Sequence, residues 1–281
     1  MARWSFPILA LVLLAGCSES PQDVGGDTTL TSLPPVTTEQ STTTHPPTTT
    51  TSLPPTTTTT TTVPPEPVEE LPPILVGPDG TKSFEEWLAI ATTLGPELVR
   101  PSDCGTPLDE PESLPNSDRS YRGGVHKGVD FICEEYGHSA IAALPGQVLM
   151  ANNSFVDPTP EERATVLDTA QELGYTPPWT LAMLYGNFVV VDHGFIDEVG
   201  HVVSLYAHLN EVDPGIRPGL RVEAGTVLGE IGNRGTATAA SNGDRARSIH
   251  LHWDIYVDTG FLGQGLTASE TSDVYTVLLG A

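Results

Sequence analysis

Short runs rich in Val, Ile and Tyr, separated by Gly and Pro, dominate the pattern of apolar positions from residue 98 onwards. Runs of this kind, bounded by turn residues, predict β-strands. The predicted strands or strand pairs cover residues 126–133, 141–151, 186–194, 201–209, 219–232 and 248–257. Their spacing predicts a mainly β domain, built as an antiparallel β sandwich or open barrel.

Two segments repeat their apolar residues at helical spacing instead. Residues 83–95 begin with Ser83 and Glu86 at the spacing of a capping box, and Gly95 ends the pattern. The apolar stripe of this segment consists of Trp87, Ile90, Ala91 and Leu94. The pattern predicts a helix on the N-terminal side of the β domain.

The second helical pattern, residues 159–174, interrupts the series of strands. Thr159 is its predicted N-cap, Pro160 takes the first helical position, and Glu162 completes a capping box. The predicted apolar face consists of Val166, Leu167, Ala170 and Leu173. We therefore expect a helical insertion at roughly 153–184, between two strands of the sheet.

Most of the first quarter of the chain shows neither the strand pattern nor the helical pattern. Residues 27–66 are dominated by Thr and Pro, which offer little apolar surface to bury and, in the case of Pro, no backbone donor. This composition predicts a disordered tether and leaves about 200 residues, enough for one domain with a sizeable core. The predicted segments are an export signal (1–17), the tether (18–72), a helical extension (73–97), the β domain (98–262) and a C-terminal extension (263–281).

An apolar stretch at residues 6–14, too short to span a bilayer, is typical of an export signal. The following letters, LAGC at residues 14–17, resemble a bacterial lipobox, which implies that Cys17 becomes the lipidated first residue. A plain cleaved signal peptide with a chance Cys is the alternative. The lipoprotein hypothesis predicts an extracytoplasmic protein, anchored in the bacterial cell membrane and facing the cell wall.

The charge of the chain limits its possible partners, and its cysteine content indicates a possible disulfide. The formal net charge of −24, from 36 Asp and Glu against 12 Lys and Arg, argues against nucleic acid as a partner. If Cys17 is lipidated, Cys104 and Cys133 remain as an even pair in an exported protein, which favours a disulfide. A Cys ligand in a metal site is the competing interpretation, although the chain has no CxxC motif.

The histidine-rich strand SIHLHWDIYV, residues 248–257, raises the question of a metal site. His250 and His252 are two residues apart, so both rings lie on one face of the strand. Two exposed polar positions on an ordinary strand would explain these two histidines equally well. His126 and Asp130 favour a metal, because two His and one Asp form a reasonable ligand set for a catalytic Zn²⁺, with Gly128 permitting a bend between them.

A family resemblance adds to this argument. The segments HKGVD, GNFVVVDHG, LYAHL, VEAGTVLGEIG and IHLHWDI occur in that order over roughly residues 120–257. Together they resemble the LytM/lysostaphin family of bacterial zinc endopeptidases, which cut the peptides of peptidoglycan. The resemblance implies a duplicated hybrid β motif and one Zn²⁺ per domain.

The resemblance also implies roles for individual residues. His126, Asp130 and His252 match the zinc ligands of the family. His250 matches the histidine that helps activate the attacking water, and His208 matches the second catalytic histidine. The remaining folded-region histidines, His138, His193 and His201, are interpreted as structural or exposed, with His193 and His201 at opposite ends of a hairpin loop.

The sequence thus predicts a lipid-anchored zinc endopeptidase that hydrolyses peptidoglycan peptides. Two other classes compete with it: a non-catalytic wall-binding or amidase-activating lipoprotein on the same fold, and a solute-binding lipoprotein. The complete ligand set argues against the first, and the lack of alternating βαβ units argues against the second. The insertion and the long polar stretch 233–248 depart from the family pattern. The sequence therefore does not define which peptidoglycan bond is the substrate.

Overall fold

A computed structural model describes Leu71 and residues 82–242 and 248–281, all within one compact unit, Thr62–Ala281. The predicted signal peptide, Cys17 and nearly all of the Thr/Pro tether lie outside the described residues. Within the described part, no helix has both the length and the apolar character required to cross a membrane.

The centre of the molecule is a nine-stranded sheet in which all the strand pairs are antiparallel. Its longest strand, β7, pairs with β6 along one edge, and along the other edge first with β10 and then with β9. The antiparallel pairing of all these strands confirms the predicted antiparallel β class. The strands are β3 Val129–Ile132, β4 Ser139–Ile141, β5 Gly146–Asn152, β6 Asn187–Ile196, β7 Gly200–Val212, β8 Arg221–Val222, β9 Val227–Ile231, β10 His250–Val257 and β11 Gly260–Phe261. A separate two-stranded ribbon joins β1 Asp118–Arg119 to β2 Gly124–Val125.

Strand β10 shows how the two faces of the sheet differ. Leu251, Trp253, Ile255 and Val257 alternate along one side and enter the main apolar core. His250, His252, Asp254 and Tyr256 alternate along the other side, which we call the site face. The site face of the sheet is also buried, by a second apolar cluster that includes Leu205 and Ala207 of β7.

Two helices cover the core face of the sheet. Helix α1, Phe84–Leu94, starts at the predicted capping box of Ser83 and Glu86 and buries the whole predicted stripe. Helix α5, Ala268–Leu279, packs beside it and contributes Val274, Tyr275 and Leu278 to the same core. The sequence pattern had not indicated α5, although Thr267 and Glu270 form a capping box at its start.

The insertion between β5 and β6 contains two helices and covers part of the site face. Helix α2, Pro160–Leu173, has the predicted caps, Thr159 and Gly174. Its predicted apolar face is only partly buried, because Leu167 and Ala170 are enclosed whereas Leu173 is 47% exposed. Helix α3, Pro178–Tyr185, was not predicted, and it packs Leu181, Ala182 and Tyr185 into the second apolar cluster.

Two predicted boundaries change in the structure. The single run 141–151 forms parts of two strands, β4 and β5, since Pro145 lies between them. The β6–β7 hairpin is tighter than predicted: His193 and His201 lie within its strands, and the turn takes only residues 197–199. Both rings are held by hydrogen bonds, which agrees with a structural role.

Cys104 and Cys133 form a disulfide with a Cα–Cα distance of 5.0 Å. Both residues are buried beside the core face, where Gly105 forms a bridge with Ile132. The bond therefore ties the segment that follows α1 to the end of β3.

Candidate metal centre

Three separate segments bring His126, Asp130 and His252 together on the site face. His126 follows β2, Asp130 lies on β3, and His252 lies on β10. Strand pairing places Asp130 directly opposite His252, so the register of β3 and β10 creates this contact. The bend after His126 then turns its ring towards the same point.

The geometry of the three side chains fits one face of a small tetrahedron. His126 Nε2 lies 2.9 Å from His252 Nδ1 and 3.2 Å from Asp130 Oδ1. His252 Nδ1 lies 3.1 Å from Asp130 Oδ1. Ligands at about 2.0–2.1 Å from a tetrahedral Zn²⁺ are separated by roughly 3.3 Å, so these spacings fit a zinc ion.

Polar contacts at the far side of each ring determine which nitrogen faces the centre. His126 Nδ1 lies 3.1 Å from the carbonyl oxygen of Leu114, an acceptor only, so Nδ1 donates and Nε2 carries the lone pair. His252 Nε2 lies 2.7 Å from Asp254 Oδ1, which leaves Nδ1 as the lone-pair atom. When both rings are neutral, two imidazole lone pairs and one carboxylate oxygen therefore converge, and this donor set suits a cation.

The pKa shifts of Asp130 and His252 also favour positive charge at this point. Burial favours the neutral carboxyl of Asp130, but His126 and His250 outweigh burial and hold its pKa well below its usual range. Burial also disfavours a charged His252, yet Asp254 and Asp130 together raise the pKa of His252 to about 9. In the metal-free protein a proton on His252 therefore meets the demand for positive charge, and a metal ion would displace that proton.

Asp254 is a functional candidate that the sequence analysis missed. Its side chain is fully buried, faces His252 through Oδ1, and accepts hydrogen bonds through Oδ2 from Tyr185 (3.1 Å) and Tyr256 (3.3 Å). A buried carboxylate behind a histidine is a frequent way to orient a metal ligand. The available signal was its position, two residues after His252 and therefore on the same strand face.

His250 and His208 flank the group of three. Their ring centroids lie 4.5 Å apart, and His250 Nε2 is 4.0 Å from Asp130 Oδ1. Each ring donates through Nδ1 to a backbone carbonyl: His250 to Ser248 at 2.9 Å, and His208 to Arg234 at 2.7 Å. In their neutral forms both rings consequently turn an Nε2 lone pair towards the site.

The position of His208 depends on an unusual point in the sheet. At residue 208 strand β7 leaves β10, where Ala207 faces His252, and joins β9, where Leu209 faces Ile231. His208 has a left-handed φ of 61°, which is uncommon for a residue other than glycine. Burial first, and then His250 and His252, keep the pKa of His208 well below its usual value, so the ring is neutral at ordinary pH.

Gly128 has a different role from the one expected. Its φ lies outside the left-handed region, so the chain does not need glycine there for a bend. A Cβ atom at this position would instead overlap Asp254 Oδ1 and the backbone of Trp253. Glycine thus lets the 126–130 segment approach β10 closely enough to join His126 to the other two side chains.

The other described histidines lie in separate networks. His193 contacts the Pro145 carbonyl and Ser204, and His201 contacts Asp192. His138 lies 2.8 Å from Asp103, and these two with Cys104 form a second group of metal-binding residue types. Because Cys104 is in the disulfide, it offers no thiolate and the group lacks a third strong ligand.

A cleft of about 330 Å³ opens over His126, Asp130 and His252, the candidate metal-binding group. One wall comes from residues 119–127, a second from the insertion, through Arg163, Leu181, Leu184 and Tyr185, and a third from residues 235–238. The third wall includes the short helix α4, Ala237–Ala240, within the long polar stretch before β10. Both departures from the family pattern therefore line the cleft.

A family profile matches the β domain of the chain. Residues 124–263 match the profile of peptidase family M23. No protein of curated function matches the chain. Similar solved structures include Csd3 from Helicobacter pylori, a zinc containing peptidase from Vibrio cholerae, and a putative peptidase M23 from Pseudomonas aeruginosa.

These structures have low sequence identity and low structural similarity to the chain. Identities are 18%, 17% and 19%, and TM-scores are 0.34, 0.30 and 0.35, in the same order. The alignments cover 58%, 51% and 73% of this chain but only 30%, 31% and 64% of the others, so this chain spans less than two thirds of each. Residues 124–263, which span β2 to β11, match the family profile and therefore form a domain of peptidase family M23.

Proposed function

We propose that the protein is a zinc-dependent endopeptidase that hydrolyses peptide bonds of bacterial peptidoglycan. In this proposal His126, Asp130 and His252 hold the ion, and His250 and His208 are the catalytic histidines. The observation that carries the proposal is the convergence of three lone-pair atoms, 2.9–3.2 Å apart, at the floor of a cleft.

The ion would supply Lewis acidity and lower the pKa of a water molecule to about 7. Asp130 offsets part of its positive charge, and Asp254 holds His252 in the tautomer that leaves Nδ1 free. The open side of the group faces the cleft, where a peptide carbonyl has access to it.

Of the two catalytic histidines, His250 is the one suited to accept a proton. Its neutral ring directs an Nε2 lone pair into the site and can accept a proton from the attacking water, whereas the low pKa of His208 keeps that ring neutral beside it. The ring that gains this proton becomes a donor and can pass it to the leaving amine. The Ser248 carbonyl would stabilise the protonated ring of His250 through Nδ1, and the Arg234 carbonyl holds the neutral ring of His208 in place.

We propose further that the domain works outside the cytoplasm, attached to the cell membrane by a lipid on Cys17. Family membership supports a cell-wall peptide as substrate, and the lipobox-like residues 14–17 support the anchor. Metabolic labelling with a fatty-acid analogue tests the anchor, since the wild type would carry the label and a Cys17→Ser variant would not.

Zinc analysis and peptidoglycan digestion test the enzyme. The purified full-length chain should bind one zinc ion and release peptide fragments from purified cell wall, and a chelator should stop the release. His126→Ala should lose both properties, whereas the matched variant His138→Ala, outside the cleft, should keep them. A zinc-free, inactive wild type would instead favour the non-catalytic wall-binding or amidase-activating function.

A further inference from the structure

The cleft carries a charge opposite to that of the chain as a whole. The sequence has 36 acidic and 12 basic residues, yet four of those basic residues, Arg119, Arg122, Lys127 and Arg163, line this one cleft. Among the described residues that line it, Asp130 is the only carboxylate, and it belongs to the metal-binding group. Positive charge has therefore been concentrated where a substrate would bind.

Arg122 is the most unusual of the four. Its side chain is buried, at 6% exposure, and lies at the end of a 3₁₀ helix, Ser120–Arg122. Its two terminal nitrogens donate to neutral oxygens, Thr176 Oγ1 at 3.0 Å and the Val125 carbonyl at 2.9 Å, while its buried Nε has no hydrogen-bond partner. A buried guanidinium is costly unless an anion compensates for the lost solvation.

A second guanidinium lies next to the first. Arg163 of helix α2 is half-buried, and its Nε is also buried without a partner. Helix α2 packs against the 3₁₀ helix that carries Arg122. Burial lowers the pKa of Arg163, Tyr121 opposes this shift, and repulsion from Arg122 adds to it. Neither arginine forms an ion pair with a carboxylate in the described part of the chain. Two adjacent positive charges of this kind suit an anionic ligand.

Arg119 extends this positive surface towards the metal-binding group. Its guanidinium donates to two backbone carbonyls, of Asp118 and Glu112, both at 2.9 Å, so its charge is also uncompensated by a carboxylate among the described residues. Its charge acts on the ring of His126 and that of Arg122 acts on Tyr185. The three arginines therefore line the same cleft as His126, Asp130 and His252.

We propose that Arg122 and Arg163, assisted by Arg119, form a subsite for a carboxylate of the substrate. This inference rests on the proposed function and narrows it: the preferred substrate is a stem peptide with a free carboxylate near the cleaved bond, rather than a neutral bridge such as a glycine chain. The helical insertion would then act as a specificity element, since it supplies Arg163 and the Thr176 partner of Arg122.

The test compares two peptides that differ in one group: a stem peptide with a free carboxylate, and the same peptide with that group converted to a carboxamide. Binding to the full-length protein is measured by calorimetry with a chelator present, so that neither cleavage nor binding to zinc contributes. We expect the carboxylate form to bind about tenfold or more tightly, as for hydrogen bonds to charged groups. Arg163→Gln and Arg122→Lys should reduce that preference to within about twofold or threefold, whereas Arg221→Gln, an exposed control on β8, should leave it unchanged.

Other outcomes have distinct meanings. Equal binding of the two peptides, or a preference that survives in both Arg163→Gln and a still-folded Arg122→Lys protein, overturns the subsite. Stronger competition by a glycerol phosphate oligomer than by the carboxylate peptide also overturns it, in favour of a phosphate polymer. A normal carboxylate preference without any peptide hydrolysis in zinc supports the subsite and refutes the endopeptidase.

Discussion

Replacement of Asp254 by Asn tests whether the carboxylate behind His252 controls the proposed metal site. Asp254 Oδ2 accepts two hydroxyl hydrogen bonds, from Tyr185 and Tyr256, and Oδ1 faces His252 Nε2 at 2.7 Å. In the Asn variant the amide oxygen is best placed against the two hydroxyl donors. The amide NH₂ then points at His252 Nε2, which has to become an acceptor.

This change moves the ring proton of His252 to Nδ1, the atom proposed to bind the ion. Loss of an orienting partner of this kind lowers metal affinity by about 10–100-fold, which corresponds to roughly 1.4–2.7 kcal/mol. The shape of the side chain hardly changes, so the fold should persist. We therefore expect weaker zinc binding without a comparable loss of secondary structure.

Competition with a chromogenic chelator measures the zinc dissociation constant, and circular dichroism checks the fold. Asp192→Asn is the matched control, because Asp192 also lies 2.7 Å from a histidine, His201, but outside the cleft. A change below about threefold in Asp254→Asn, with the fold intact, would refute the orienting role of the carboxylate. An equal loss in Asp192→Asn would show that the effect is not specific to the site.

Three further changes address catalysis and stability. His250→Ala should keep the zinc and lose about 10²–10⁴-fold in turnover, because it removes a proton acceptor but no proposed ligand; loss of the metal in zinc analysis would contradict this assignment. Gly128→Ala should lower the free energy of unfolding by about 1–3 kcal/mol in denaturant titrations, since its Cβ overlaps neighbouring atoms, while Gly105→Ala, whose nearest neighbour is 3.7 Å away, should be nearly neutral. Cys104→Ser removes a disulfide across a sequence separation of 29 residues and should cost roughly 3–4 kcal/mol of stability under oxidising conditions. The same stability in Cys104→Ser as in the oxidised wild type would argue against a formed bond.

The amino-acid sequence alone determined the features that depend on neighbours along the chain. The capping boxes at Ser83 and Thr159 predicted the starts of two helices, because a cap is a contact over three residues. Alternation along residues 250–257 placed His250 and His252 on one face for the same local reason. The helix at Ala268–Leu279 had a comparable local signal, the Thr267–Glu270 capping box, that the hydrophobic pattern alone did not reveal.

Only the tertiary structure decided which distant residues meet. Asp130 reaches His252 because the register of two strands, 122 residues apart at this pair, sets them opposite each other. Tyr185 of the insertion reaches Asp254, and helix α2 packs against the 3₁₀ helix that carries Arg122, through packing of the insertion against the rest of the domain. Register and packing depend on the burial of surfaces that lie far apart in the sequence. No short segment of the chain therefore contains the interactions that determine them. The sequence pattern can therefore identify the candidate histidines. Only the folded sheet brings them together with the buried Asp254 carboxylate and the arginines that line the cleft.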